Sequence, residues 1–299
     1  MPNTLAHIGA QGWMGRAVFK KADLPWILLG LIVPDLPWIL QRLVRSLFPG
    51  IDPYDLRAYV IVQASFFGCL LLCGAVSIIA QNTKKVFFVV SVNALFHLLL
   101  DAIQTKWADG VHLFAPFSWK PFSFGGFWPE DWPAHAMTAA GAAFMAFSCR
   151  CLPKTSPGFR WKPVQRPLAA LLFLGAYFAA PVLLQDGPHH ADNHFIRTLA
   201  DKADRVGKKV EFDRNKLQST SEGMFLKTFF GEEIRLTGNL PDAPGILSLK
   251  GRFIDAQTLE VQQFHVHTPF RDWFSYAGIG GIFVVWIASF RRVRRNNAR

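Results

Sequence analysis

Uncharged apolar runs, long enough to cross a lipid bilayer, are the feature that most limits how this chain can fold. Residues 58–80 carry no charged side chain, and about 20 apolar residues are enough for a helix to span a membrane. Four later segments are also long and mainly apolar, at residues 86–103, 134–152, 167–184 and 273–290. Since the chain is 51% hydrophobic, we expect a mainly α, multi-pass membrane protein built as a helical transmembrane bundle.

The composition changes between residues 185 and 272, where basic and acidic residues nearly balance. Alternating apolar and polar residues there predict five short strands. These are residues 208–212, 224–230, 232–238, 246–254 and 258–267. Five short strands are typical of a small β domain, for which an OB-like barrel is one possible arrangement.

The sequence therefore predicts three parts. Residues 1–184 form a helical membrane domain, and residues 185–272 form an extracytoplasmic β-rich domain. Residues 273–299 form a last transmembrane helix with a basic tail.

The orientation follows from the basic residues beside the apolar runs, because loops rich in Lys and Arg stay in the cytoplasm. The C-terminal arginines, the loop at residues 150–166 and the pair Lys84 and Lys85 are then cytoplasmic. That places residues 104–133 and the β-rich domain outside. We accordingly interpret the net charge of +11 as a membrane-orientation signal and expect no nucleic-acid partner.

One N-terminal element conflicts with this scheme. Basic residues between positions 16 and 21 favour a cytoplasmic N-terminus, which separates His7 from Asp101 if residues 24–44 cross the bilayer. Two prolines flank Asp35 in that segment, and proline interrupts helices. We therefore expect residues 24–44 to be re-entrant, so that His7 and Asp35 reach the outer face.

A polar motif lies in and after the second long apolar run. His97 and Asp101 are four residues apart, which places both side chains on one helical face, and Thr105 and Gly110 follow. A buried hydrogen bond between imidazole and carboxylate is the simpler interpretation. Ionisable residues within membrane segments are more often functional, however. A second pair, His265 and His267, shares one face of a predicted strand, and we interpret it as a solvated face.

The spacing H-x3-D-x3-T-x4-G, followed by Ala-Pro-Phe-Ser, resembles the YdjM-like family of bacterial membrane-bound metal-dependent hydrolases. The resemblance covers about the first half of the chain. The segment Thr4–His7 resembles the Thr-x-x-His of that family, and Pro34–Asp35 resembles its Pro-Asp element. The His-Arg-Gly and Thr-His-Ser elements of the family are not matched. Residues 56–59 and 63–65 stand in their place, where Arg57 matches but the two histidines are missing.

The resemblance implies a metal site held by His7, Asp35, His97 and Asp101. Two imidazoles and two carboxylates suit Zn²⁺ or Mn²⁺. In place of the missing family histidines, His112 could add a ligand from the outer loop. Arg57 is the candidate catalytic residue, because a guanidinium can neutralise a phosphoryl oxygen.

We therefore expect a metal-dependent hydrolase in the bacterial inner membrane, with its C-terminus in the cytoplasm. A phosphodiester or another lipid-related ester is the expected substrate, at the outer face of the bilayer. The alternative is a non-enzymatic membrane scaffold whose β domain binds a partner. In that case the polar residues form a buried structural network.

Overall fold

The computed structural model describes residues 3–19, 22–150 and 158–297, with side chains through residue 291 except at 149 and 150. Several basic residues that carried the orientation prediction, including Lys20, Lys21 and Lys154, lie outside the described residues. So do the basic side chains that follow Arg291.

Helices make up most of the chain. They are α1 (Thr4–Val18), α2 (Leu24–Ile32), α3 (Leu36–Leu47), α4 (Pro53–Ala64), α5 (Phe66–Ile78), α6 (Thr83–Ile103), α7 (Trp132–Arg150), α8 (Gln165–Leu184), α9 (Asp186–His190), α10 (Ile196–Ala200) and, after the strands, α11 (Phe270–Asn297).

Within the described residues, four helical stretches are long and apolar enough to cross a membrane. They are Leu24–Leu47, Thr83–Ile103, Gln165–His190 and Phe270–Arg291. Three of them contain the predicted runs at residues 86–103, 167–184 and 273–290. The predicted span at residues 134–152 falls on α7, which is not among the four.

The uncharged run at residues 58–80 does not form the single helix that its composition predicts. It divides at Ser65 into α4 and α5, which are bent by 64°. Ser65 has extended backbone angles, and its hydroxyl accepts a hydrogen bond from the Gly68 amide at 3.2 Å, which caps α5. The amide of Phe66 instead donates to the carbonyl of His112 at 3.2 Å. A contact with a distant loop thus stabilises a break that apolar composition does not reveal.

The prolines around Asp35 have less effect than predicted. A single 3-10 turn (Val33–Asp35) joins α2 to α3, and the helical path continues to Leu47. Each proline lies in the first turn of a new helical element, where its missing N–H leaves no hydrogen bond unmade. The expectation of a re-entrant segment at these prolines is therefore wrong.

The long helices connect two distinct ends of the bundle. At one end Phe19 lies 5.8 Å from Phe88 and Trp26 lies 5.5 Å from Phe159, ring centre to ring centre. We call this the basic end, because Arg16, Lys84 and Arg166 belong to it. At the opposite end the Tyr54 ring stacks on Phe230 of the β domain at 4.3 Å.

The direction of α1 resolves the N-terminal conflict. His7, near its start, contacts Asp101 near the end of α6, whereas Phe19, just after its end, contacts Phe88 near the start of α6. α1 therefore runs from the β-domain end to the basic end. His7 and Arg16 belong to opposite ends of the bundle without any reversal at the prolines.

The five predicted strands are confirmed. They are β1 (Lys209–Thr220), β2 (Gly223–Lys227), β3 (Glu233–Gly238), β4 (Gly245–Phe253) and β5 (Thr258–His267). They pair in the order β1-β2-β3-β5-β4, and β4 also pairs with β1. The pair β3–β5 is parallel. Leu226, Ile234, Leu249 and Leu259 are fully buried between the strands. The OB-like arrangement stays a prediction.

Candidate metal centre

Three helical segments bring the ionisable side chains together. α6 carries His97 and Asp101 one turn apart, α1 carries His7, and the 3-10 turn after α2 carries Asp35. Glycines allow this close approach, because a side chain at Gly30 would clash with the backbone of α6. Small residues at helix contacts are the usual way in which membrane helices come close together.

The two imidazoles lie parallel, with ring centres 3.9 Å apart. His7 Nε2 is 3.2 Å from Asp101 Oδ1, and His97 Nε2 is 3.6 Å from Asp101 Oδ2. Asp35 Oδ1 lies 3.5 Å from His97 Nε2. The ligating atoms of His7, His97 and Asp101 all lie within 4.8 Å of one another. This group could hold a metal ion, and Asp35 adjoins it through His97.

These converging atoms face one another without well-aligned hydrogen bonds. Nε2 of both histidines and Oδ1 of both aspartates are buried, and their contacts at 3.2–3.6 Å do not have the geometry of hydrogen bonds. Each such buried group costs about 1–3 kcal/mol if it is left unsatisfied. The donor atoms of a tetrahedral zinc site are about 3.3 Å apart, given bonds of about 2.0 Å. The nitrogen–oxygen distances of 3.2–3.6 Å are close to this value, and tilting of the two parallel rings would point both Nε2 lone pairs at one ion.

Gln11, one helical turn after His7, orients the histidine. One orientation of the Gln11 carboxamide gives hydrogen bonds to both its oxygen and its nitrogen. In that orientation the Gln11 oxygen accepts from His7 Nδ1 at 2.8 Å and from the His97 backbone amide at 3.2 Å. The Gln11 nitrogen donates to the Asn93 carbonyl. The proton of neutral His7 then resides on Nδ1, and the Nε2 lone pair faces Asp101. Metal-binding histidines are usually fixed in this way through their second nitrogen. Sequence reasoning missed Gln11, although its spacing from His7 could have indicated it.

Lys106 was also missed, and it changes the electrostatics of the centre. Its buried ammonium lies 3.2 Å from Asp101 Oδ2. Asp35 and Asp101 carry two negative charges and Lys106 one positive charge. A bound metal or one protonated imidazole would balance the remaining negative charge.

His112 lies close to the centre but outside the group of three. It is buried and lines a small cavity together with Asp101 and Lys106. Burial lowers the pKa of His112 to about 4. The ring is therefore neutral at physiological pH, which is the form that ligates metals.

Arg57 lies apart from the metal-ligand candidates, on the side of α4 that faces the β domain. It donates to Gln41 Oε1 at 3.2 Å, and its guanidinium stacks over Phe229 at 4.2 Å. It lines a cleft of about 340 Å³ between the helices and the β domain. Trp38 lines both this cleft and the cavity beside Asp101, so the two spaces adjoin across one side chain.

A second group that could hold a metal ion consists of Glu130, His265 and His267. The interpretation of His265 and His267 as a solvated face is wrong. The side chain of His267 is only 1% exposed, and both rings contact Glu130, which comes from the loop before α7.

No family model, no curated protein and no solved structure matches this chain. The resemblance to YdjM-like hydrolases therefore stays a prediction that depends on the motif residues alone.

Proposed function

We propose that this chain is a membrane-bound hydrolase that uses a divalent cation held by His7, His97 and Asp101. One observation carries the proposal. Nitrogen and oxygen atoms of His7, His97 and Asp101 converge within 4.8 Å, and they are buried and face one another without well-aligned hydrogen bonds. A bound Zn²⁺ or Mn²⁺ at such a site would generate a nucleophile from water and polarise an ester or phosphoryl oxygen.

Each protein group has a defined part in this proposal. His7, His97 and Asp101 hold the cation, and Asp35 lies next to His97 as a further ligand or as its orienting partner. Gln11 fixes the tautomer of His7. Lys106 holds Asp101 in place and compensates part of its charge.

The substrate class follows from the cleft beside this centre. Arg42, Arg57 and Arg271 line it together with the aromatic rings of Trp38 and Phe229. Guanidinium groups are the preferred partners of phosphate oxygens. A phosphodiester or a lipid-related ester, approaching from the β-domain end, fits this lining.

The location follows from the charge pattern. We assign the basic end of the bundle to the cytoplasm and the β domain to the outer face of a bacterial inner membrane. α1 then begins outside, and the C-terminus lies in the cytoplasm. The lipid bilayer is thus a partner of the chain, and the metal centre lies toward the outer face.

A second candidate function is the non-enzymatic scaffold, and Lys106 is the observation that favours it. The ion pair between Lys106 and Asp101, together with one protonated imidazole, would balance the charge of the cluster without any metal. The β domain would then be the functional part and would bind a protein partner.

Hydrolysis assays separate the two candidates. The detergent-purified chain, stripped with a chelator and reloaded with Zn²⁺ or Mn²⁺, is tested on a chromogenic phosphodiester and on a phospholipid in mixed micelles. We expect metal-dependent hydrolysis by the wild-type chain and by His190→Gln, whose side chain is exposed. We expect none by Asp101→Asn. If neither ester is hydrolysed with either metal, the scaffold becomes the better assignment.

A further inference from the structure

Three ligating side chains outside the intramembrane centre meet where the helical bundle joins the β domain. Glu130 lies just before α7, and His265 and His267 lie at the end of β5. His265 Nε2 is 3.2 Å from Glu130 Oε2, and His267 Nδ1 is 3.1 Å from Glu130 Oε1. The Trp128 ring stacks in parallel on His265 at 3.9 Å and limits its rotation.

A chain of hydrogen bonds determines where the proton of His267 resides. The Ser248 hydroxyl lies 2.8 Å from Asp213 Oδ1, and a carboxylate can only accept, so Ser248 donates to it. The same hydroxyl lies 2.8 Å from His267 Nε2. Its only proton is already used, so His267 must donate from Nε2. If the imidazole is neutral, the lone pair of His267 Nδ1 then faces the oxygen of Glu130.

Two acceptors at 3.1 Å repel each other unless a proton or a metal ion lies between them. Two imidazoles and one carboxylate form a typical ligand set for Zn²⁺, and the two nitrogen–oxygen separations of 3.2 and 3.1 Å are close to the roughly 3.3 Å expected between ligands of a tetrahedral site. The relay from His267 through Ser248 to Asp213 is the outer hydrogen bonding that usually supports a zinc-binding histidine. We propose that Glu130, His265 and His267 bind a Zn²⁺ ion, which is distinct from the ion of the intramembrane centre.

The surrounding charges are compatible with a cation at this place. The nearest positive group is Arg214, whose guanidinium is 3.7 Å from Glu130 Oε1 but 3.3 Å from Asp272 Oδ2. Asp213 adds another carboxylate behind Ser248. Arg271 also pairs with Asp272, at 3.4 Å. Three carboxylates therefore face two guanidiniums, and a cation offsets the remaining negative charge.

The position of the site indicates what the ion does. Glu130 directly precedes α7, and His267 is three residues before α11 begins at Phe270. α7 packs against α1, which carries His7. Zinc at this point links the β domain to the starts of α7 and α11. It thereby fixes the β domain over the end of the bundle that contains His7, His97 and Asp101.

Zinc stoichiometry of the full chain in detergent tests this proposal. The wild-type chain, His265→Gln and Glu130→Gln are stripped with a chelator, reloaded with Zn²⁺ and analysed for metal and for melting temperature. We expect both variants to bind one zinc fewer per chain than the wild type and to lose part of the zinc-induced rise in melting temperature. His190→Gln, which replaces an exposed histidine, should behave as the wild type does.

A measurement on the unaltered chain keeps the proposal falsifiable if the variants do not fold. Diethyl pyrocarbonate modifies exposed imidazoles, and mass spectrometry reports the rate at each histidine. Zinc should slow the modification of His265 and leave that of His190 unchanged. Equal rates at His265 with and without zinc, or wild-type zinc content in both folded variants, would show that the three side chains form only an ion-paired cluster.

Discussion

Replacing Gln11 tests how the metal centre is held together, because Gln11 touches His7 and not the proposed ion. In Gln11→Leu the buried N–H of His7 loses its acceptor, which was 2.8 Å away. An unsatisfied buried donor lowers the free energy of unfolding by about 1–3 kcal/mol. The histidine is also free to adopt the other tautomer, and loss of such an orienting partner usually weakens metal binding by about 10–100-fold.

Zinc affinity is measured by competition with a fluorescent chelator. All chains in this comparison carry Glu130→Gln, so that the proposed site at Glu130, His265 and His267 does not contribute. Two controls accompany the variant. Gln11→Glu keeps an acceptor oxygen opposite His7 Nδ1, and it should retain most of the affinity. Gln104→Leu removes another buried glutamine, whose amide atoms have no hydrogen-bond partner within the described residues, and it should leave the affinity unchanged. Zinc binding by Gln11→Leu that is as tight as in the parent chain would refute the assigned role of Gln11.

Three further predictions concern the helix packing, the β domain and the orientation. Gly141→Ala should lower the melting temperature, because its new methyl group would clash with the backbone of α1 at Leu5. Gly175→Ala should raise the melting temperature slightly, because the space around Gly175 is open and alanine favours a helix more than glycine does. Arg205 is fully buried and forms two hydrogen bonds to Glu232 at 2.9 and 2.6 Å, so in urea denaturation Arg205→Leu should destabilise the β domain by about 3 kcal/mol. Burial raises the pKa of Glu232, but Arg205 holds that pKa below its ordinary value of 4.5. The stabilisation of the β domain by this ion pair should therefore be complete above about pH 4.5 and diminish as the pH falls further. Arg205→Leu, which lacks the ion pair, should lose less stability in acid than the wild-type chain. A cysteine at exposed Ser219 should react with an impermeant maleimide in intact cells, and one at exposed Lys162 only after permeabilisation; the reverse pattern would overturn the orientation.

The β domain could be predicted from sequence because its signals are local. Alternating residues and the turn at residues 239–245 identify all five strands, although β1 continues to Thr220, eight residues past its predicted end. The pair His97 and Asp101 was equally accessible, since a spacing of four residues fixes a shared helical face. The pairing order of the strands, by contrast, depends on contacts between distant segments.

Other features depend on contacts between segments that are far apart in the chain. The break at Ser65 needs the carbonyl of His112, and the meeting of His7 with Asp101 needs the direction of α1. Glu130 meets His265 across 135 positions. No local pattern encodes such distances, so sequence reasoning proposed His7 only through a family resemblance and gave His265 the wrong environment.

Diffraction at the zinc absorption edge, from crystals of the wild-type chain grown with Zn²⁺, tests the central claim most directly. The account predicts an anomalous peak within about 2.0–2.2 Å of His7 Nε2, His97 Nε2 and an oxygen of Asp101. A peak at Glu130, His265 and His267 in the same crystal would show that zinc had been available. The hydrolase proposal would be contradicted by crystals that show this second peak but no density between His7 and Asp101, with Lys106 in contact with Asp101.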